Sequence, residues 1–333
     1  MQFVVLSSGS KGNCLLVKSG DSCVMVEAGL GPRVLKKRLS SVDLDPRIIT
    51  GVVVTHGHYD HIRCAPEVAE SLNVPTLATT SCAVQQAACG RPLFAHQSMV
   101  PGEPVRMGRL TVTAFPTPHD APGSIGLVFQ DDEARLGVVT DLGCITPQVL
   151  RALSDLDGLY LEFNHDVPML LQGTYPDRLK RRVRSNLGHL SNEQAAELVM
   201  RAYNPRLRQL FLAHLSEQNN TPGLAWMQAQ RSVDGRDVEI VIAPQQHALR
   251  PVTVGKRGEL KDLAPPADTI RPPIVVNPPP RDELLERYAL APVSRSVKAS
   301  VGPRTNELYG VPVGKGPAAQ LSLFEMPVRE RFR

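Results

Sequence analysis

Short apolar runs alternate with helix-like stretches from Met1 to about Ala243, and this predicts an α/β layered fold. Two further observations sharpen the expectation. Several of the runs are β-branched and unbroken, as buried strands are. The alternation stops near Pro244, where prolines take over, so residues 1–244 are expected to form a folded body and 245–333 a flexible tail.

The elements follow in order. FVVLSS, NCLLVKS and CVMVEAG read as three strands, with the Gly- and Ser-rich segment Ser7–Asn13 as a turn between the first two. PRVLKKRLSSV reads as a helix, IITGVVVTH as a strand and APEVAESL as a helix. LTVTAFPTPH, SIGLVF and RLGVVTD are strand-like, and TPQVLRALS is helical. LYLEFN, LRQLFLAHL and VEIVIAP read as the last strands, separated by the helices SNEQAAELVMRAY and TPGLAWMQAQRSV. Ser191 opens the first of these as an N-cap, with Gln194 completing a capping box. In the tail, Pro265-Pro266, Pro272-Pro273 and Pro278-Pro279-Pro280 break regular structure, and RDELLERYAL is the one short helix-like stretch. The sequence shows no internal repeat.

Bulk properties exclude several classes. The six cysteines are scattered, with no CxxC pair, which argues against a zinc finger and against a disulfide framework. No basic-then-apolar leader is present, and no apolar run approaches the ~20 residues of a membrane span. A soluble, cytoplasmic protein with no membrane partner is expected. The net charge of +4 resides in the tail: residues 245–333 carry +5 and the body −1. A basic tail assists contact with a polyanion or simply keeps the chain soluble.

The chemistry concentrates in Thr55-His56-Gly57-His58-Tyr59-Asp60-His61, which follows the run Val52–Val54. Three imidazoles and a carboxylate so close together at the end of a buried strand are costly without a partner. A divalent cation resolves this, and zinc and manganese both accept His and Asp ligands.

This motif resembles that of the metallo-β-lactamase superfamily, whose later motifs are similar to three further strand ends: His119 closes TAFPTPH, Asp141 closes GVVTD and His214 closes LFLAH. The resemblance implies an αββα four-layer sandwich holding two divalent metal ions, Zn2+ or Mn2+. It implies one ion on His56, His58 and His119, a second on Asp60, His61 and His214, and Asp141 bridging them. Asp60 would also position the nucleophile. Two such ions, roughly 3.5–4 Å apart, stabilise both the attacking and leaving oxygens of an in-line displacement. Glu27 stands where the superfamily has a supporting aspartate, one methylene longer than the pattern.

Within the superfamily, the segments SSGSKGNC, THGHYDHI, PTPHDAPGSIG, VVTDLG, LEFNHD, GHLSNEQAAEL and LAHLSEQNNTP resemble the YycJ/WalJ family across residues 1 to about 245. That resemblance implies a 5′-to-3′ DNA exonuclease. The residues point to a phosphodiester on their own terms as well. Arg178, Lys180, Arg181, Arg182 and Arg184 form a basic run leading into Gly188-His189-Leu190-Ser191. Cations beside a helix N-terminus at Ser191 suit a phosphate backbone, and they equally suit a solvated helix face. His189 is the candidate for contacting the scissile phosphate or protonating the leaving oxygen, with a structural imidazole as the alternative. Related tRNA 3′-processing enzymes carry a comparable His-Ser-Thr element. Glu162 and His165 can pair with His189 or line the site.

Alternatives remain at this stage: an RNA-processing nuclease, or a hydrolase of small thioesters, lactones or lactams. In the tail, Gln320-Leu321-Ser322-Leu323-Phe324 resembles the bacterial sliding-clamp-binding peptide. Gln320 would supply hydrogen bonds, and Leu321, Leu323 and Phe324 would fill an apolar pocket. A clamp tether favours DNA, because the clamp encircles DNA, and it raises local concentration.

Overall fold

In the computed structural model, residues 1–256 are described. The expected pentapeptide at 320–324, the stretch RDELLERYAL and most of the Pro-rich segment lie outside them.

The first half of the chain supplies β1 (Gln2–Ser7), β2 (Cys14–Ser19), β3 (Ser22–Val26), β4 (Gly51–Val53), β5 (Thr76–Ala78) and β6 (Gln97–Ser98). The second supplies β7 (Pro104–Met107), β8 (Leu110–Pro116), β9 (Ile125–Gln130), β10 (Arg135–Val139), β11 (Gly158–Glu162), β12 (Gln209–Ala213) and β13 (Glu239–Ile242). A last strand, β14 (Val252–Thr253), returns to pair antiparallel with β1. The two seven-stranded sheets run β14-β1-β2-β3-β4-β5-β6 and β13-β12-β11-β10-β9-β8-β7.

Both sheets follow one plan. β1 to β3 and β7 to β10 are antiparallel meanders, and β3 to β6 and β10 to β13 then pair in parallel. The duplication lies in topology, which is why no repeat is visible in the residues. Parallel pairing requires crossovers, and helices occupy most of them. The nine helices of the described residues are α1 (Pro32–Ser40), α2 (Tyr59–Ile62), α3 (Ala65–Leu72), α4 (Thr80–Ala88), α5 (Pro147–Ala152), α6 (Val167–Gln172), α7 (Asp177–Val183), α8 (Asn192–Ala202) and α9 (Pro222–Ser232).

Caps set several helix starts. Thr146 and Thr221 accept from the backbone N–H of Val149 and Leu224, each at 3.2 Å, and each is followed by a proline that cannot extend the strand side. Thr79 caps α4 in the same way through Cys82, at 3.3 Å. None of these helices is long and apolar enough to cross a membrane.

Three apolar clusters make the four layers. Alternate residues of both sheets, among them Val5, Val17, Val53, Val112, Phe129, Val138, Tyr160 and Phe211, fill the space between the sheets. The opposite face of the first sheet packs on α1, α3 and α4 through Leu16, Met25, Leu35, Leu39, Val68 and Cys82. The opposite face of the second packs on α5, α8 and α9 through Leu159, Leu210, Val149, Leu198 and Ala225. Each such side chain contributes roughly 1.5–3 kcal/mol on full burial. Leu249, Val252 and Val254 join the inter-sheet core, so the folded body continues past the boundary expected at 244. The reason is pairing: β14 covers the edge of β1 that would otherwise lie open.

Candidate metal centre

Register brings the chemistry to one edge. Val26 pairs with Val53, so β3 and β4 end together and place Glu27 beside the segment that begins at Thr55. Val139, Leu161 and Leu212 stand level across β10, β11 and β12, so Asp141, Glu162 and His214 emerge side by side at the carboxyl ends of parallel strands.

The segment after β4 is held in large part through its backbone. Asn13 N–H donates to the Asp60 carbonyl at 2.8 Å, Ala28 N–H to that of His61 at 2.7 Å, and Gly29 N–H to that of Asn13 at 3.0 Å. Only glycine fits at 29, because a Cβ there would stand 1.8 Å from the Asp60 carbonyl oxygen. Glu27 and His214 both adopt left-handed backbone, at φ 64° and 50°, a strained conformation for residues with side chains.

All seven expected ligands converge. His56, His58, His119 and Asp141 form one group able to hold an ion, and Asp60, His61 and His214 form another. Asp141 touches both. Its Oδ2 is 3.3 Å from His56 Nε2, 3.3 Å from His119 Nε2 and 3.6 Å from His61 Nε2, and its Oδ1 is 3.1 Å from His214 Nδ1. Asp60 Oδ2 lies 3.3 Å from both His61 Nε2 and His214 Nε2.

Second contacts fix the rings. His119 Nδ1 donates to the Gly188 carbonyl at 3.0 Å, which turns Nε2 toward the cluster. The Thr55 hydroxyl donates to Glu27 Oε1 and accepts from His56 Nδ1 at 2.9 Å. Glu27 Oε1 also stands 3.3 Å from His61 Nδ1. Glu27 therefore supports two rings, one directly and one through Thr55, despite its extra methylene. His58 Nδ1 is 3.1 Å from His119 Nε2, and its Nε2 is 3.2 Å from Asp120.

The electrostatics are those of compressed opposite charges. Burial works to raise Asp141 and Asp60, yet His214 and His61 hold both well below the usual carboxylate range. Burial works to lower His214, but Asp141 and Asp60 hold it up at about 10. His61 is held well above its usual range against burial by Asp60, Asp141 and Glu27. His56 is pushed well below its ordinary value by burial and by His61.

The donor set fits a cation. His56 Nε2 and Asp141 Oδ1 are buried and make no hydrogen bond, although charged neighbours stand close by. They converge on common ground without being aimed at one another. Buried polar atoms in that state are expensive unless something is shared between them. A divalent cation would replace the ring protons that the carboxylates otherwise attract.

Glu162 is a brace. Its Oε1 accepts from the backbone N–H of Leu142 at 2.6 Å and of Leu190 at 3.1 Å, and its Oε2 meets His189 Nδ1 at 3.0 Å. Against burial, His189 draws the Glu162 carboxyl below its ordinary value. His189 is partly exposed at the rim, with its ring centroid 5.3 Å from that of His119 and 5.5 Å from that of His214.

The other expected residues stand around the centre rather than in it. His165 joins no cluster: it is buried, its carbonyl accepts from Asn192 N–H at 2.8 Å, and its Nδ1 has no partner. Burial and then His189 push its imidazole down to about 4. Ser191 caps α8 as expected, with Gln194 N–H at 3.2 Å, but the cap closes the site expected for an anion. Asn192 N–H is taken by His165 and Ser191 N–H by Gln194 Oε1 at 3.0 Å, and Ser191 itself is buried. Of the basic run, Lys180 donates to the Leu171 carbonyl at 2.7 Å, and Arg182 grips Asp120 with bonds of 2.5 and 3.0 Å. Arg178, Arg181 and Arg184 are exposed.

Sequence reasoning passed over Asp120, Asn13 and Asn164. Asp120 links His58 to Arg182, Asn13 Nδ2 lies 3.1 Å from His61 Nε2, and Asn164 Nδ2 holds the His214 carbonyl at 3.1 Å. Asp120 was within reach, since it directly follows His119. The others are ordinary amides, and nothing in their spacing marks them.

Comparison with known proteins places this geometry. The β-lactamase superfamily domain matches residues 23–215. An exodeoxyribonuclease YycJ of Bacillus anthracis is 29% identical over 75% of this chain and 96% of its own length. An exodeoxyribonuclease WalJ of Streptococcus pneumoniae is 30% identical over 68% of this chain and 86% of its own. Among solved structures, the metallo-β-lactamase fold protein YhfI of Bacillus subtilis superposes with a TM-score of 0.58, at 18% identity, over 75% of this chain and all of that one. The short form of human tRNase Z does so with a TM-score of 0.52, at 16% identity, over 75% and 98%. Both structures share the fold.

Proposed function

The chain belongs to the metallo-β-lactamase superfamily as a YycJ/WalJ-type metal-dependent hydrolase, and from that premise we propose that it is a two-metal DNA exonuclease acting 5′ to 3′ in replication-linked repair. The observation that carries this reading is the shared carboxylate of Asp141, set between two groups of ligands. His56, His58, His119 and Asp141 would hold one ion, and Asp60, His61, His214 and Asp141 the other. When bound, such a pair of cations supplies Lewis acidity toward a phosphoryl group and acidifies water.

The remaining work falls to the chain itself. His189 faces the substrate at the rim, and Glu162 fixes its Nδ1–H, leaving the second ring nitrogen to contact the scissile phosphate or protonate the leaving oxygen. Asp60, held between His61 and His214, would also position the nucleophile. Arg178, Arg181 and Arg184 attract the phosphate backbone, while Arg182 holds Asp120 and through it His58. Gln320, Leu321, Leu323 and Phe324 would tether the enzyme to a sliding clamp. A pull-down in which Leu323→Ala/Phe324→Ala is retained as well as wild type removes that partner.

The test is digestion of 5′- and 3′-labelled DNA duplexes, beside matched RNA, with manganese and with zinc. Release of 5′ nucleotides from DNA alone is expected. Turnover of RNA only, or of a thioester or lactam with no nuclease activity, overturns the reading.

A further inference from the structure

Tyr59 stands between His58 and Asp60 in the chain, yet its ring takes no part in the cluster. It opens α2 and is 38% exposed, one of the few large apolar side chains so open among the described residues. Two guanidinium groups converge on it. Arg63 Cζ lies 5.4 Å and Arg91 Cζ 5.8 Å from the ring centroid.

Both arginines are anchored by backbone. Arg63 Nη2 donates to the Gly29 carbonyl at 2.5 Å, and Arg91 Nη2 donates to the Arg63 carbonyl. Neither forms an ion pair with a carboxylate among the described residues. Two guanidinium groups thus stand at one ring, bonded to carbonyls and, for Arg63, to the Cys64 thiol, with no carboxylate paired to either, which favours an anion at their free N–H groups. A closed pair elsewhere shows the contrast: Arg236 lies 3.9 Å from the centroid of Tyr203. Around Tyr59 the cations stand farther back, and the ring keeps its exposure.

We propose that Tyr59, Arg63 and Arg91 form a subsite for one unpaired nucleotide of the DNA strand, its base stacked on Tyr59 and its phosphate paired with Arg63 and Arg91. The inference rests on the nuclease reading above. Consecutive Cα atoms are about 3.8 Å apart, so the platform is tied within one residue of the cluster on either side. Any base offers a π face, so the subsite selects single-stranded DNA without reading its sequence. A duplex end must fray to fill it, which makes overhanging or frayed ends the preferred substrates.

The experiment uses fluorescence anisotropy with the manganese-loaded full chain and a short, phosphorothioate-protected single-stranded DNA that resists cutting. A companion series places one abasic nucleotide at each position in turn. Tyr59→Ala is expected to weaken binding about ten-fold, the scale of a single base–aromatic stack, whereas Tyr59→Phe retains it. One abasic position weakens wild type to the same degree and leaves Tyr59→Ala no weaker than before. Wild type that cuts unprotected DNA but binds every abasic strand as well as the intact one overturns the subsite and leaves the nuclease reading standing. That arm needs no variant, so it holds even if Tyr59→Ala fails to fold. Wild type that neither binds nor cuts DNA removes both.

Discussion

The two halves of the metal centre are built on opposite plans. The first sheet delivers His56, His58, Asp60 and His61 from one short segment, clamped through its backbone by Asn13 and Ala28. The second delivers His119, Asp141, Glu162 and His214 one at a time, each from the end of a different strand. The first half is accurate because one loop is tightly packed. The second is accurate because a sheet keeps register over its whole width. The lesson is that a binuclear site can join a local device to a distributed one through a single shared side chain.

That shared side chain is where the comparison breaks most completely. Asp141→Asn leaves the shape but removes the charge facing His56, His61, His119 and His214. DNA hydrolysis is expected to fall to background, and metal content by elemental analysis to drop, with circular dichroism unchanged. Full metal retention in Asp141→Asn would show that the halves do not depend on a common carboxylate.

Matching glycines weigh the two plans against each other. A Cβ at Gly29 would meet the Asp60 carbonyl at 1.8 Å, inside the buried clamp. A Cβ at Gly188 would meet the Arg182 and Val183 carbonyls at 2.2 Å, across the exposed turn 184–187. Overpacking is expected to cost about 3 kcal/mol in Gly29→Ala and about 1 kcal/mol in Gly188→Ala, read from urea unfolding. Equal losses would mean that the local half is no more rigid than the other.

The braces sharpen the contrast further. Glu27→Gln weakens the support of His56 and His61 and is expected to lower metal affinity about 10–100-fold. Glu162→Gln disturbs the brace of His189 and is expected to lower turnover by a similar factor of about 10–100, with metal affinity less affected. Titration with a chelator, run beside the cleavage assay, separates the two. A Glu162→Gln protein that loses metal first would place Glu162 among the ligands.

What the sequence disclosed follows the same division. His56 to His61 stood out because their density alone has no cheap structural explanation. His119, Asp141 and His214 were legible only as strand ends matched in order to a known pattern, since each is unremarkable by itself. The long apolar strands and the helices α5, α8 and α9 were legible from their alternation, and the start of α8 also from its Ser191 cap. The strands β5, β6 and β14 were not, because two or three residues carry no period. α4 escaped because TSCAVQQAA buries only Cys82 and Gln86, too few apolar positions to show a face. The placing of His165 was not legible, because its burial under the start of α8 depends on the backbone bridge to Ser191.

The smallest expected effect concerns the arginines on and just after α7, where the proposed nuclease would meet its substrate. Lys180 and Arg182 are engaged within the protein, so on the proposed reading the charge offered to DNA would come from Arg178, Arg181 and Arg184. Withdrawing one cation from a phosphate should flatten the dependence of binding on salt by roughly 0.7 for a single strand or 0.9 for duplex. Arg178→Ala, Arg181→Ala and Arg184→Ala are therefore expected to bind DNA a few-fold more weakly one at a time, alike for every sequence. Arg182→Ala is expected to differ in kind, because freeing Asp120 disturbs His58 and so lowers metal affinity as well. Anisotropy across a salt series, paired with metal titration, reads both quantities. If Arg182→Ala proves indistinguishable from its neighbours, the link from α7 through Asp120 to the local half of the centre carries no energy.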